Sequence, residues 1–561
     1  MPFKRSPHWP VGLPDHLTIP ETSLYYNLEV SASRYPNKDA IVYYDSKISY
    51  AELNAQAIKL AGFLQHKCGI KRGDRVLLYM QNSPQFIIAY YAILRADAMV
   101  VPVNPMNLTA ELAHYIDDAD ATTAIVGQEL FSQIQPHLGT TLLQQVIVAT
   151  YSDYLTVATD LKVPDFIQAP RIELNHTGVT AWRSALDAGL QPFPHGAGPT
   201  DLCVMPYTSG TTGKPKGCIH IHSSVMMTTV THGAWLGAGT ADAVILAVLP
   251  FFHVTGMQGS MNGPIYYGQT IVLLPRWDRE VAAQMVQRYK ISGWTNIPTM
   301  VIDFLMNPKI AEYDLSSITR VGGGGAAMPE AIAQKLQDLC KLTYVEGYGL
   351  SETIGATHIN PVERPRKQCL GIPIFDTDAR VVNPDTLQEL GPNEVGEIIS
   401  HGPQVFQGYW KNQKATDECF LQFEGKRFFR TGDLGRVDEE GYFFLVDRLK
   451  RMINASGFKV WPAEVEAMMY QNPHIQEACI IGTQDAYRGE SVKAIVMLKE
   501  TSRGKVTEQD IIDWAKANMA AYKYPRSIEF RDAPLPKSAT GKVQWRMLQE
   551  QENAKFSQPL G

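Results

Sequence analysis

The chain has 561 residues, 45% hydrophobic and 19% charged, which excludes collagen-like, disordered and membrane-spanning classes. Lysine and arginine number 51 against 57 acidic residues, a formal charge of -6, so no global positive field draws in nucleic acid. The seven cysteines never approach CxxC spacing, which removes a redox or zinc signature, and the charged opening lacks the apolar run of a secretory signal; a cytoplasmic location is expected.

In chain order, Ser49-Tyr50-Ala51-Glu52 has the form of a capping box. Leu53, Ala57, Leu60, Ala61 and Leu64 follow at helical spacing until Gly69 closes the segment. Asp74–Met80 reads as a buried strand, and Ser83-Pro84 starts a helix reaching about Arg95, a βαβ pattern. Apolar runs at Thr123–Val126, Val146–Val148, Val244–Leu249 and Thr270–Leu274 continue the alternation of α/β layers. The Pro- and Gly-rich stretch 191–200 reads as a surface loop. The longest apolar stretches are short or broken by Arg95 and Asp97, so no transmembrane helix is expected; peripheral membrane contact stays open.

Beyond about residue 447 the pattern becomes compact α+β. It has a strand at Val460-Trp461, a helix over Pro462–Gln471, strands at Ala478–Ile481 and Lys493–Leu498, and helices over Thr507–Met519 and Val543–Gln551. The expected fold class is therefore α/β: a large N-terminal domain of layered α/β subdomains, residues 1–447, and a small, mobile α+β C-terminal domain, residues 448–561.

The sharpest local signal is Tyr207-Thr208-Ser209-Gly210-Thr211-Thr212-Gly213-Lys214-Pro215-Lys216-Gly217. Glycines free the backbone to expose successive N–H groups, hydroxyls add donors and two lysines add charge, a composition suited to polyphosphate. It is not a GxxxxGK[ST] loop, because Thr208 and Pro215 stand where glycine and a hydroxyl residue are required. The segment resembles the signature loop of the adenylate-forming superfamily, which includes acyl- and aryl-CoA synthetases, luciferases and peptide-synthetase adenylation domains. Further segments resemble that family in its order: Gly347-Tyr348-Gly349-Leu350-Ser351-Glu352-Thr353, with serine for the usual threonine; Thr431-Gly432-Asp433-Leu434; Asp447-Arg448-Leu449-Lys450 with Ser456-Gly457-Phe458-Lys459; and Pro536–Lys542. The likeness runs from near Tyr50 to Leu548.

The resemblance implies an acid:CoA ligase that uses ATP, Mg²⁺ and coenzyme A to convert a small-molecule carboxylic acid to its acyl-adenylate and then its thioester. Thr208, Ser209, Gly210, Thr211, Thr212, Gly213 and Lys214 would hold phosphate, and Ser351 the α-phosphate; Glu352 would carry the metal. Gly325, Ala326, Ala327, Gly347, Tyr348 and Gly349 would border adenine, Asp433 and Arg448 the ribose. Lys542 would reach the carboxylate and α-phosphate together. Lys450 matches the hinge about which the family rotates its small domain, and Gly457, Phe458 and Lys459 the CoA side. Gly323, Gly256, Met257 and His253 match the acyl pocket, although His253 reads equally as a satisfied core histidine.

A medium- or long-chain fatty acid is the expected substrate, ahead of short, branched, sulfur-containing or aryl acids. A carrier-protein-loading ligase, a luciferase-type oxygenase and a catalytically silent nucleotide sensor share the phosphate loop and stand as alternatives. The sensor has no reason to keep Glu352 and Lys542 together. Nothing in the sequence addresses oligomeric state.

Overall fold

The structure is a computed structural model that describes residues 6–208, 214–324, 328–455, 458–485, 489–538 and 543–556, with backbone alone at 450, 454, 458, 459 and 556. The chain divides into two compact units. One holds residues 1–379, 400–429 and 440–443; the other holds 380–399, 430–439 and 444–561.

The first unit contains two nine-stranded sheets. In one, Val345–Leu350, Arg320–Gly324, Gly293–Asn296, Val244–Ala247, Thr270–Leu273 and Asp39–Tyr43 run parallel in that order. Antiparallel hairpins finish both edges, Gly355–Ile359 beside Val345–Leu350 and Ser46–Ser49 beside Asp39–Tyr43. In the other, Leu202–Val204, Met99–Pro102, Arg75–Tyr79, Thr123–Gly127, Gln145–Ala149 and Val179–Ala181 are parallel. Lys216–Ile221 and Gly408–Tyr409 extend it antiparallel.

Parallel strands need crossover helices, and these bury both faces of the sheet. The strand Arg75–Tyr79 shows the result: Val76 and Leu78 enter one core while Leu77 and Tyr79 enter a second. The first core joins both sheets to helices such as Pro84–Arg95, buried at every residue from Pro84 to Leu94.

Local signals placed these helices accurately. Ser49 caps Tyr50–His66 with both bonds of its capping box in place, and Leu53, Ala57, Leu60, Ala61 and Leu64 are all buried. Gly69 turns the chain afterwards at φ +70. Ser83 caps Pro84–Arg95 by accepting from the Phe86 N–H.

In the second unit the strands Phe458–Val460, Ile453–Ala455, Gly489–Leu498 and Ile475–Asp485 form a sheet, with Ser527–Phe530 parallel to Gly489–Leu498. Helices Pro462–Met469 and Glu508–Asn518 contribute Val465, Met469, Ile511 and Ala515 to its core. The strand expected at 478–481 runs longer, Ile475–Asp485, because it pairs with Gly489–Leu498 along its whole length. The helix expected from Val543 begins at Trp545, because Val543 bridges to Lys537 instead. Among the described residues no helix is long and apolar enough to cross a membrane.

Candidate active site

The phosphate-loop stem is a hairpin in the first unit: Thr208 pairs with Lys216 and Tyr207 with Gly217. Helix Thr109–Asp118 buttresses it. Tyr207 donates its hydroxyl to Asp118 Oδ2 at 2.7 Å, and the His114 ring bonds the Pro215 carbonyl at 2.7 Å. Burial raises the Tyr207 hydroxyl pKa far above its ordinary value, so it remains a donor.

The strand after the loop, Lys216–Ile221, carries His220 to the Ser351–Thr353 turn. Its Nε2 donates to the Ser351 carbonyl at 2.8 Å. Burial pushes this imidazole down to about 4, which keeps it neutral at physiological pH. Glu352, 8% exposed, is held at two points. Its carbonyl accepts from the Phe406 N–H at 2.8 Å, and Oε1 accepts from the Tyr409 hydroxyl at 2.9 Å. Tyr409 itself pairs with Cys218, and the Trp410 N–H bonds the Gly217 carbonyl. Segment 404–410 therefore ties the metal-carboxylate candidate to the phosphate-loop stem.

Gly347 and Gly349 lie on the strand Val345–Leu350, where Tyr348 is buried with its ring 5.6 Å from His358. Gly323 lies on the adjoining strand, where a Cβ would fall 1.9 Å from the Asn296 carbonyl oxygen, so strand packing itself demands glycine there. Glu346, buried one residue before Gly347, accepts from the Met328 and Gln368 N–H groups, and burial raises it to about 7. His253 caps the short helix Val254–Met257 by accepting from the Thr255 N–H, and Gly256 and Met257 are buried behind it.

In the second unit, Asp433 is 1% exposed and Arg448 reaches its Oδ1 at 2.9 Å, so the two expected ribose residues meet. Asp447 accepts from the Ala463 and Arg448 N–H groups, anchoring the segment before the Leu449–Arg451 turn that holds Lys450. The segment bearing Lys542 is bounded by the Lys537–Val543 bridge and by the Gln544 N–H bonding the Pro536 carbonyl.

Ser209, Gly210, Thr211, Thr212, Gly213, Gly325, Ala326, Ala327, Gly457 and Lys542 lie outside the described residues, as do the side chains of Lys450, Phe458 and Lys459. Sequence reasoning passed over His220, Tyr409, Phe406, His114 and Glu346. None lies in a residue pattern with its own chemistry, and each acts through a partner distant in sequence.

Residues 28–410 match the AMP-binding enzyme family and residues 464–542 the AMP-binding enzyme C-terminal domain. The chain is 35% identical to a long-chain-fatty-acid–CoA ligase of Bacillus subtilis (strain 168) over 97% of both chains. It is 31% identical to one of Escherichia coli O157:H7 over 95% of both. A solved structure of ATP-bound MatB from Rhodopseudomonas palustris superposes with TM-score 0.82 at 25% identity, covering 96% of this chain and 100% of that one.

Proposed function

This chain belongs to the AMP-binding enzyme family, and we propose that it is an AMP-forming fatty-acid–CoA ligase, as its relatives are named, whose site segments divide one adenylation and one thiol transfer between them. A carboxylate has no usable leaving group. Its oxygen therefore attacks the α-phosphorus of ATP and pyrophosphate departs; the CoA sulfur then attacks the acyl carbon and AMP departs with the bonding electrons.

Thr208, the loop 209–213, Lys214 and the Ser351 hydroxyl receive the phosphate oxygens in this reading. Glu352 would hold Mg²⁺. The fit is chemical: a single buried carboxylate, fixed by a phenol hydrogen bond, is what an ion carried largely by substrate phosphates needs. When bound, that ion offsets the charge gathering on the leaving phosphates. Asp433 accepts from the ribose hydroxyls with Arg448 beside it, and Gly325–Ala327, Gly347, Tyr348 and Gly349 flank adenine. His253, Gly256, Met257 and Gly323 border the acyl chain.

Lys542 places an ammonium between the carboxylate and the α-phosphate for the first step. Gly457, Phe458 and Lys459 serve CoA in the second, after backbone angles change near Lys450. That places the functional domain boundary between 447 and 448. A cytoplasmic location goes with this reading: none of the seven cysteines forms a disulfide and four are buried, as a reducing compartment leaves them.

The observation that carries the assignment is the joint hold on the Ser351-Glu352 turn and the phosphate-loop stem by His220 and segment 404–410. CoA-dependent AMP release, screened over acids from acetate to palmitate and benzoate-type compounds, tests it. Turnover is expected to peak on medium- or long-chain fatty acids. Release confined to short or aryl acids would overturn that substrate class.

A further inference from the structure

We infer that Tyr409 is a positioning residue that orients the Glu352 carboxylate and so sets how strongly a divalent cation strengthens ATP binding. The inference rests on the reading of Glu352 as the metal carboxylate.

The argument begins with what holds Tyr409. Its backbone pairs with Cys218, and its N–H bonds Thr416 Oγ1 at 2.9 Å. Its ring packs edge-on against Phe406 at 4.9 Å, while the Lys216 ammonium lies 4.9 Å from its other contact surface, the ring centroid. The hydroxyl is thus delivered to Glu352 Oε1, 2.9 Å away, by a strand paired with the one that carries the phosphate-loop stem.

The Glu352 backbone is held separately, through the Phe406 N–H. Removing the phenol oxygen therefore leaves the turn in place and takes one restraint off the carboxylate. A metal ligand whose rotamers are less firmly held must be ordered in part by the ion itself, which weakens the ion's hold. Lys216 over the ring adds a second link, since the same side chain belongs to the phosphate-loop stem.

Titration calorimetry of a non-hydrolysable ATP analogue, with Mg²⁺ and with chelator, reads this directly. In Tyr409→Phe the ratio of metal-loaded to metal-free affinity is expected to fall about tenfold, and the Mg²⁺ concentration for half-maximal pyrophosphate release to rise in step, with the rate recovering at saturating metal. The affinity ratio is internal to one sample, so a lowered folded fraction cancels from it. Glu352→Gln run in parallel separates the two readings. An unchanged ratio in Tyr409→Phe beside a collapsed one in Glu352→Gln overturns the role of Tyr409 alone. An unchanged ratio in Glu352→Gln overturns the metal assignment with it.

Discussion

A methyl group added at Gly349 would strain the candidate site from behind. This residue pairs with Ala356 across the hairpin that presents Ser351 and Glu352. A Cβ there would lie 1.9 Å from the Gly355 carbonyl oxygen, 2.4 Å from its carbon and 2.8 Å from the Ala356 Cα, all backbone atoms that no rotamer moves. Ordinary contact begins at 3.4 Å, so the strands must part by roughly 1.5 Å. Overpacking of this kind costs about 1–3 kcal/mol of stability. The larger effect is on rate, because a displacement of about 1 Å in positioned groups costs about a hundredfold. Pyrophosphate release at saturating ATP and fatty acid, measured with the melting temperature, is expected to show that loss in Gly349→Ala. Gly198→Ala, whose Cβ finds its nearest neighbour at 3.8 Å, is the control and should match the parent chain. A Gly349→Ala enzyme with parental rate and stability would refute the placement of the turn.

Lys542→Ala is expected to abolish adenylate formation while thioester formation from supplied acyl-AMP continues; parental pyrophosphate release would refute its role. Lys450→Pro should spare adenylation more than thiol transfer, and equal loss of both would remove the hinge from this position. Arg448→Ala, which deprives Asp433 of its guanidinium, should raise the KM for ATP about tenfold with less effect on kcat, as loss of a charge-assisted bond requires. Acidification should destabilise the first unit. Burial pushes His220, His222 and His232 to about 4 and His358 to about 3, so below pH 6.5 the unfolded chain gains protons that the fold refuses. Glu129 and Glu346, raised to about 7, act in the opposite sense between pH 7 and 4.5. Four imidazoles against two carboxyls leave roughly two net protons, a slope of about 2.7 kcal/mol per pH unit. The melting temperature should fall from pH 6.5 to 5, and a constant or rising one would contradict this balance.

What the sequence determined by itself was whatever depends on near neighbours. The capping box at Ser49, the helix start at Ser83-Pro84 and the buried parallel strands follow from spacing within a dozen residues. The candidate phosphate loop, the Ser351-Glu352 turn and Asp433 with Arg448 were picked out because the short motifs around them resemble those of the adenylate-forming superfamily. The supports of that chemistry were not. His220 meets the Ser351 carbonyl across 131 positions, and Tyr409 meets Glu352 across 57. Those meetings exist only once strand order is set, and strand order is a property of long-range pairing that no local spacing encodes. Glycine at 323 shows the division most sharply: its identity is local, but the Asn296 carbonyl that forbids any larger side chain arrives from the neighbouring parallel strand.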